Sequence, residues 1–268
     1  MTVILSCFVG RKRYLEILSV YIDILLAKKL VDEIHIWDYT REESDAAWIR
    51  ERWPLEYIFE VRDKSTYREY YQYYSKERYP EDDTVLVKCD DDIVYIDTDA
   101  FGEFIIQRKA DTHPLLATAC VINNPICSIF LYKTSNFNFG DSKDVHFFTP
   151  DHATFMHESF LEGKIEKSAS PRFHKLFFKD FKVNINFIAV LSRDFDILSK
   201  HIGKVNDEDE FHNVAMFLKR PVMIDGHFFV AHMAYNKQRD DGFDETEILE
   251  KYSHLRNKTF LEYKERDE

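Results

Sequence analysis

The stretch from Val85 to Asp97 reads VLVKCDDDIVYID: an apolar, β-branched-rich run that stops on three consecutive aspartates and resumes at once with Ile93, Val94 and Ile96. So short an apolar run predicts a buried strand, with Asp90, Asp91 and Asp92 at its carboxyl end. Three like charges within a few ångströms repel and raise one another's pKa unless a cation or several hydrogen-bond donors sit among them. A divalent ion meets that need. Hard oxygen ligands suit Mg²⁺ or Mn²⁺, which keep positions open for phosphate oxygens. A bare DDD can also be a solvated turn, but apolar strands on both sides favour a ligand site, because ligands of α/β sheets gather at strand carboxyl ends.

The chain before the triplet alternates strands and helices. Val3 to Val9 reads as a strand, Tyr14 to Lys29 as a helix whose Leu15, Leu18, Ile22, Leu25 and Leu26 recur on one face, and Glu33 to Asp38 as a second strand. This opening predicts a parallel pair. In such a unit the strand ends hold the ligand: Arg11 or Lys12 is placed to meet a diphosphate and Asp38 to accept from a ribose or base, although a basic cluster such as Arg11 to Arg13 is as often plain surface. A helix over Glu42 to Arg52, a strand over Leu55 to Val61 and a tyrosine-rich helix over Ser65 to Arg78 complete a nucleotide-binding half of α/β type.

After the triplet the pattern predicts a helix over Asp99 to Lys109 and a strand over Leu115 to Ile122. Active-site loops are expected over Asn123 to Pro150, with a short strand near Ile129 to Tyr132. A helix over Asp151 to Glu162, a strand over Val183 to Leu191 and a helix over Asp194 to Lys200 follow. Asp207-Glu208-Asp209-Glu210 forms an acidic turn before the apolar helix Val214 to Leu218, with Asp207 or Asp209 suited to cap it. A carboxylate oriented by a helix start can also serve as a general base. Val222 to His232 reads as a strand pair broken at Gly226, carrying His227 and His232; a histidine in such a segment is more often structural than a ligand. Beyond Asn236 the tail predicts solvated helices with a docking face of Ile248, Leu249, Tyr252 and Leu255.

The formal charge of −12 argues against binding nucleic acid by phosphate neutralisation, which needs a basic stripe. It also strengthens the expectation of a divalent ion, since an acidic protein that binds a phosphorylated donor must screen its own carboxylates. Cys7, Cys89, Cys120 and Cys127 show no CxxC spacing and read as reduced, buried thiols. MTVILSCFVGRKRY places its basic residues after its apolar run, the reverse of a secretory signal, and no run is long enough to span a bilayer. A cytoplasmic location is the expectation. Many of the 23 Phe and 15 Tyr lie in polar surroundings, Tyr67, Tyr70, Tyr71, Tyr73 and Tyr74 among them; some suit a sugar or base site, though packing is the commoner use.

Taken together, these residues resemble the metal-dependent glycosyltransferases of the GT-A fold. Lys88-Cys89-Asp90-Asp91-Asp92-Ile93 is similar to the DDD form of their Asp-x-Asp motif in the β-1,3-galactosyltransferase and Fringe-like branch; Glu208-Asp209 is similar to the later Glu-Asp motif, and His232, ahead of His227, to the metal-binding histidine. The chain also resembles, in style, glycosyltransferases of large algal viruses, which would place it in the host cytoplasm. The resemblance implies a single α/β, GT-A (Rossmann-like) domain, its central mixed, mostly parallel sheet flanked by helices. Residues 1–98 would form the nucleotide-sugar-binding half, 99–235 the acceptor-binding and catalytic half and 236–268 a helical tail. It implies Mn²⁺ or Mg²⁺ on Asp90, Asp92 and His232, and donor contacts from Arg11, Asp38, Lys88, Asp90 and Asp91. Asp209, or Asp207 after it, would be the base that inverts the sugar carbon as it passes from a UDP-sugar to a glycan hydroxyl. A retaining transferase, a metal-dependent phosphohydrolase or nucleotidyltransferase, and a catalytically silent carbohydrate-binding module are the competing expectations.

Overall fold

The computed structural model of the chain describes residues 2–135, 146–166, 172–176 and 184–267. Strand β1 (Val3–Val9) is wholly buried because side chains of a strand alternate between faces and both faces here are covered. Val3, Leu5, Cys7 and Val9 enter one hydrophobic cluster and Ile4 and Phe8 another. Helix α1 (Lys12–Ala27) lays Leu15, Leu18, Ile22 and Leu25 on the first face. Strand β2 (Glu33–Asp38), helix α2 (Glu43–Arg52), strand β3 (Ile58–Glu60), helix α3 (Arg68–Tyr73) and strand β4 (Val85–Cys89) follow. The chain continues through β5 (Ile93–Ile96), α4 (Phe101–Ala110), β6 (Leu116–Ile122), α5 (Pro125–Thr134), α6 (Pro150–Leu161), β7 (Phe173–Leu176), β8 (Phe187–Leu191), α7 (Phe195–His201), α8 (Asp207–Leu218), β9 (Val222–His232), α9 (Asn236–Asp240) and α10 (Thr246–Asp267).

One sheet runs in the order β3-β2-β1-β4-β8-β6-β9-β5, with β7 also on β9. Side chains from α1, α4, α5, α6 and α10 pack on one face and those from α3, α7 and α8 on the other, so the sheet is flanked by helices as expected. The architecture is α/β with a mixed sheet; the expectation of a mostly parallel one is corrected. The pairs β1–β2, β1–β4, β2–β3 and β6–β9 are parallel, whereas β4–β8, β6–β8, β5–β9 and β7–β9 are antiparallel. The alternating strand-helix pattern that signals parallel pairing covers only the first half of the chain. Among the described residues no helix is long and apolar enough to cross a membrane, and all four cysteines are buried and free.

Other expectations are corrected locally. Ile129 to Tyr132 is not a strand but part of α5, because Asn124 accepts from Ile126 N and Cys127 N and Pro125 opens the helix, a start signal stronger than the short apolar run. The acidic stretch does not precede its helix: it is the first turn of α8, capped by Asn206 rather than by Asp207 or Asp209. The tyrosine-rich helix is shorter than expected at Arg68–Tyr73. Val222 to His232 is one continuous strand, and its irregularity appears in the pairing, where β6 skips from Asp225 to Phe229. Residues 136–145 of the expected loop region, and Val183 at the start of the expected strand, lie outside the described residues.

Candidate active site

Register brings the candidate residues together. Strand order reverses beside β1, with β2 on one side and β4 on the other, and a crevice at the carboxyl ends follows from that arrangement. Cys7 pairs with Cys89, so Gly10 and Arg11 after β1 lie alongside the aspartates after β4. Phe187 pairs with Cys89, and Asp90 N donates to Asn186 O, which sets Asn186 beside the triplet. Ile93 pairs with His232, and Met233 N donates to Asp92 O, which brings the end of β9 to the same place. A cleft of about 480 Å³ opens there, and the start of α8 forms its opposite wall.

Each aspartate has different partners. Asp90 accepts from Lys88 Nζ at 2.6 Å and Asn186 Nδ2 at 3.0 Å. Asp91 takes a forked pair from Arg11, Nε at 3.0 Å and Nη2 at 2.6 Å, and lies so close to Gly10 that a Cβ there would meet its Oδ2 at 3.0 Å. Asp92 Oδ2 accepts from Arg11 Nη2 at 2.8 Å and from Arg239 Nη2 at 3.0 Å, while its Oδ1 faces His232 Nε2 at 3.3 Å. Burial alone would raise the Asp92 carboxyl, but the facing His232 ring, Arg11 and Arg239 outweigh it and hold the group well below the usual carboxylate range. Burial pushes Asp90 and Asp91 upward, repulsion from Asp92 adds to it, and Lys88 and Arg11 offset only part.

Lys88 belongs to both walls. Its ammonium is buried, 4.7 Å from the centre of the Phe8 ring, bonded to Asp90 and to Ile185 O, and 3.9 Å from Asp207 Oδ2. Burial disfavours its charge, yet Asp90 and Asp207 outweigh that and raise its pKa. Asp207, in the first turn of α8, accepts from the Tyr71 hydroxyl at 2.9 Å.

Of the residues singled out in the sequence, Arg11, Lys88, Asp90, Asp91, Asp92, Asp207 and His232 line the cleft together. Asp209, His227 and Asp38 do not. Asp38 is buried at the end of β2, where its Oδ1 accepts from Thr40 and Lys64. Glu208, the first residue of the expected Glu-Asp motif, also lines the cleft, and sequence reasoning missed Arg239, Asn186 and Tyr235, which line it too. Arg239 lay in a tail that reads as solvated, and no local signal marks it. Of the tyrosines, Tyr67 reaches the cleft, whereas Tyr70, Tyr71 and Tyr74 are buried in the second hydrophobic cluster.

Among the described residues no three His, Cys, Asp or Glu side chains could hold a metal ion. Asp90 is directed to Lys88 and Asn186, so the expected set of Asp90, Asp92 and His232 shrinks to a pair. That pair fits a shared ion: neighbouring ligands on an octahedral ion with bonds of roughly 2.1 Å stand about 3 Å apart, and Mg²⁺-type sites commonly use one or two protein ligands plus substrate phosphates. The other nitrogen of the ring, Nδ1, is buried without a hydrogen-bond partner among the described residues; Tyr235 packs on the ring at 4.6 Å between centroids.

No protein-family model matches the chain, and no curated protein sequence does. Among solved structures, the chain is similar to CMP:2-keto-3-deoxy-manno-octonic acid synthetase complexed with CTP, at 10% identity over 86% of this chain and 89% of that one, with a TM-score of 0.46.

Proposed function

We propose that the chain is a GT-A-type glycosyltransferase that moves a sugar, with inversion, from a nucleoside diphosphate, UDP in the first instance, to a hydroxyl of a glycan acceptor. The observation that carries this reading is the meeting, in one cleft, of the Asp92–His232 pair, two arginines and a carboxylate at a helix start. Arg11 and Arg239 are the groups to receive the diphosphate, because guanidinium forks match phosphate oxygens. Phe8 and Tyr67, with ring centroids 4.9 Å apart, offer flat apolar surface to a base or sugar. Asp92 and His232 would hold Mn²⁺ or Mg²⁺, which supplies Lewis-acid stabilisation of the departing diphosphate.

On the acceptor side Asp207 takes the role of base in preference to Asp209. It lines the cleft, and Tyr71 and Lys88 approach its Oδ2, which leaves Oδ1 to receive the acceptor proton. With Asp207 as base on the acceptor side, the transfer would proceed with inversion.

The test is thermal denaturation with nucleotides and nucleotide sugars, with and without Mn²⁺, followed by transfer assays read by NMR at the anomeric proton. Metal-dependent stabilisation by UDP supports this reading. Stabilisation by free sugars alone would favour a carbohydrate-binding module, and retained configuration in the product would remove inversion.

A further inference from the structure

Arg11 and Arg239 come from distant parts of the chain and meet on a single oxygen, Asp92 Oδ2. Each also has a carboxylate of its own: Arg11 is forked onto Asp91, and Arg239 Nε donates to Glu245 Oε1 at 2.7 Å. Glu245 is buried and fixed in turn by the Tyr14 hydroxyl and by Arg13. The carboxylate that pairs with His232 therefore already carries two guanidinium groups. A divalent cation placed on Asp92 and His232 would face both positive charges at close range and compete with them for the same carboxylate. A diphosphate has the opposite effect, since its oxygens attract guanidinium groups more effectively than one shared carboxylate oxygen does.

We infer that Arg11 and Arg239 gate the Asp92–His232 pair: a diphosphate must draw the two guanidinium groups from Asp92 before a divalent ion is bound there, so the ion enters with the nucleotide or after it. This rests on the proposed function and adds an order of loading to it. Asp91 and Glu245 keep the arginines at the cleft when they leave Asp92, so the gate requires only side-chain rotation.

The experiment is Mn²⁺ titration of the full chain followed by electron paramagnetic resonance of the free ion, on wild type, Arg239→Gln and Arg11→Gln, each with and without uridine diphosphate. Melting curves confirm that each variant is folded, and either variant alone suffices. The gate predicts that, without nucleotide, a folded variant binds Mn²⁺ at least tenfold more tightly than wild type, and that the gain in Mn²⁺ affinity caused by uridine diphosphate is smaller in the variant. Equal Mn²⁺ affinity of wild type and folded variants without nucleotide overturns the gate while leaving the proposed function standing, provided wild type still binds Mn²⁺ with uridine diphosphate. Failure of every protein to bind Mn²⁺ with uridine diphosphate removes the proposed function itself.

Discussion

Lys88 Nζ stands 3.9 Å from Asp207 Oδ2, linking the strand that ends in the aspartate triplet to the helix that faces it across the cleft. The same ammonium binds Asp90 at 2.6 Å. Replacing it by methionine, similar in length and uncharged, leaves the buried Asp207 and the half-buried Asp90 without their cation. Lys88→Met is expected to cost on the order of 3 kcal/mol of folding stability, measured as a lowered midpoint in urea. A variant as stable as wild type would mean that the two carboxylates find other partners.

Asp207 and Asp209 make a direct comparison. Asp207→Asn is expected to slow sugar transfer by a factor on the order of 10² to 10⁴ with nucleotide affinity unchanged, because the amide keeps the Tyr71 contact and loses the proton acceptor. Asp209→Asn, at a position that does not line the cleft, is expected to change the rate by less than roughly threefold. Single-turnover kinetics on both variants checks the pair, and the reverse ranking would transfer the role to Asp209.

Gly203 precedes α8 with φ +87°, and a Cβ there would come within 2.7 Å of both Tyr67 O and the Tyr71 ring. Tyr67 lines the cleft and Tyr71 holds Asp207, so the strain is transmitted to both. Gly203→Ala is expected to cost on the order of 2 kcal/mol and to weaken nucleotide binding as well. Unchanged melting and binding would show that the loop yields without moving either tyrosine.

Burial lowers the pKa of His35, His152 and His157 to about 4. His157 is fixed as a neutral ring: Met233 O can only accept, so Nε2 donates to it, and Nδ1 accepts from the Tyr252 hydroxyl. The unfolded chain protonates these rings near pH 6.5. A folded pKa below the unfolded one means that their contribution is complete above about pH 6.5 and is lost as pH falls toward 4, at up to roughly 1.4 kcal/mol per pH unit for each ring. Melting temperature followed from pH 7 to 4 is expected to fall, with a shallower slope in His157→Gln.

The opening of the fold was legible because β1, β2 and β4 are short runs dominated by apolar residues and α1 repeats at helical spacing, so these elements lie where the pattern places them, whereas α3 and β3 are shorter than the pattern suggests. Ile129 to Tyr132 misled because four apolar residues satisfy strand and helix alike, and the decision came from Asn124 and Pro125 just upstream. The triplet and Arg11 could be named from sequence since they follow recognisable strands, and His232 from the resemblance to metal-dependent glycosyltransferases. Arg239 and Asn186 could not, since what brings them to the cleft is antiparallel register between segments far apart in the chain, β5 with β9 and β4 with β8. The partner of each aspartate was equally hidden: the triplet looks uniform as text, yet it divides among Lys88, Arg11 and His232.

The short segment from His232 to Arg239 is anchored at both ends. Met233 N is bonded to Asp92 O, and Gln238, fully buried, exchanges a reciprocal pair of amide hydrogen bonds with Asn123. The intervening chain therefore works as a ruler whose length sets how far the guanidinium of Arg239 reaches beyond the imidazole of His232. Adding or deleting one residue between β9 and α9, at Met233 to Tyr235, would put the two side chains out of step, so this stretch should tolerate changes of residue type far better than changes of length.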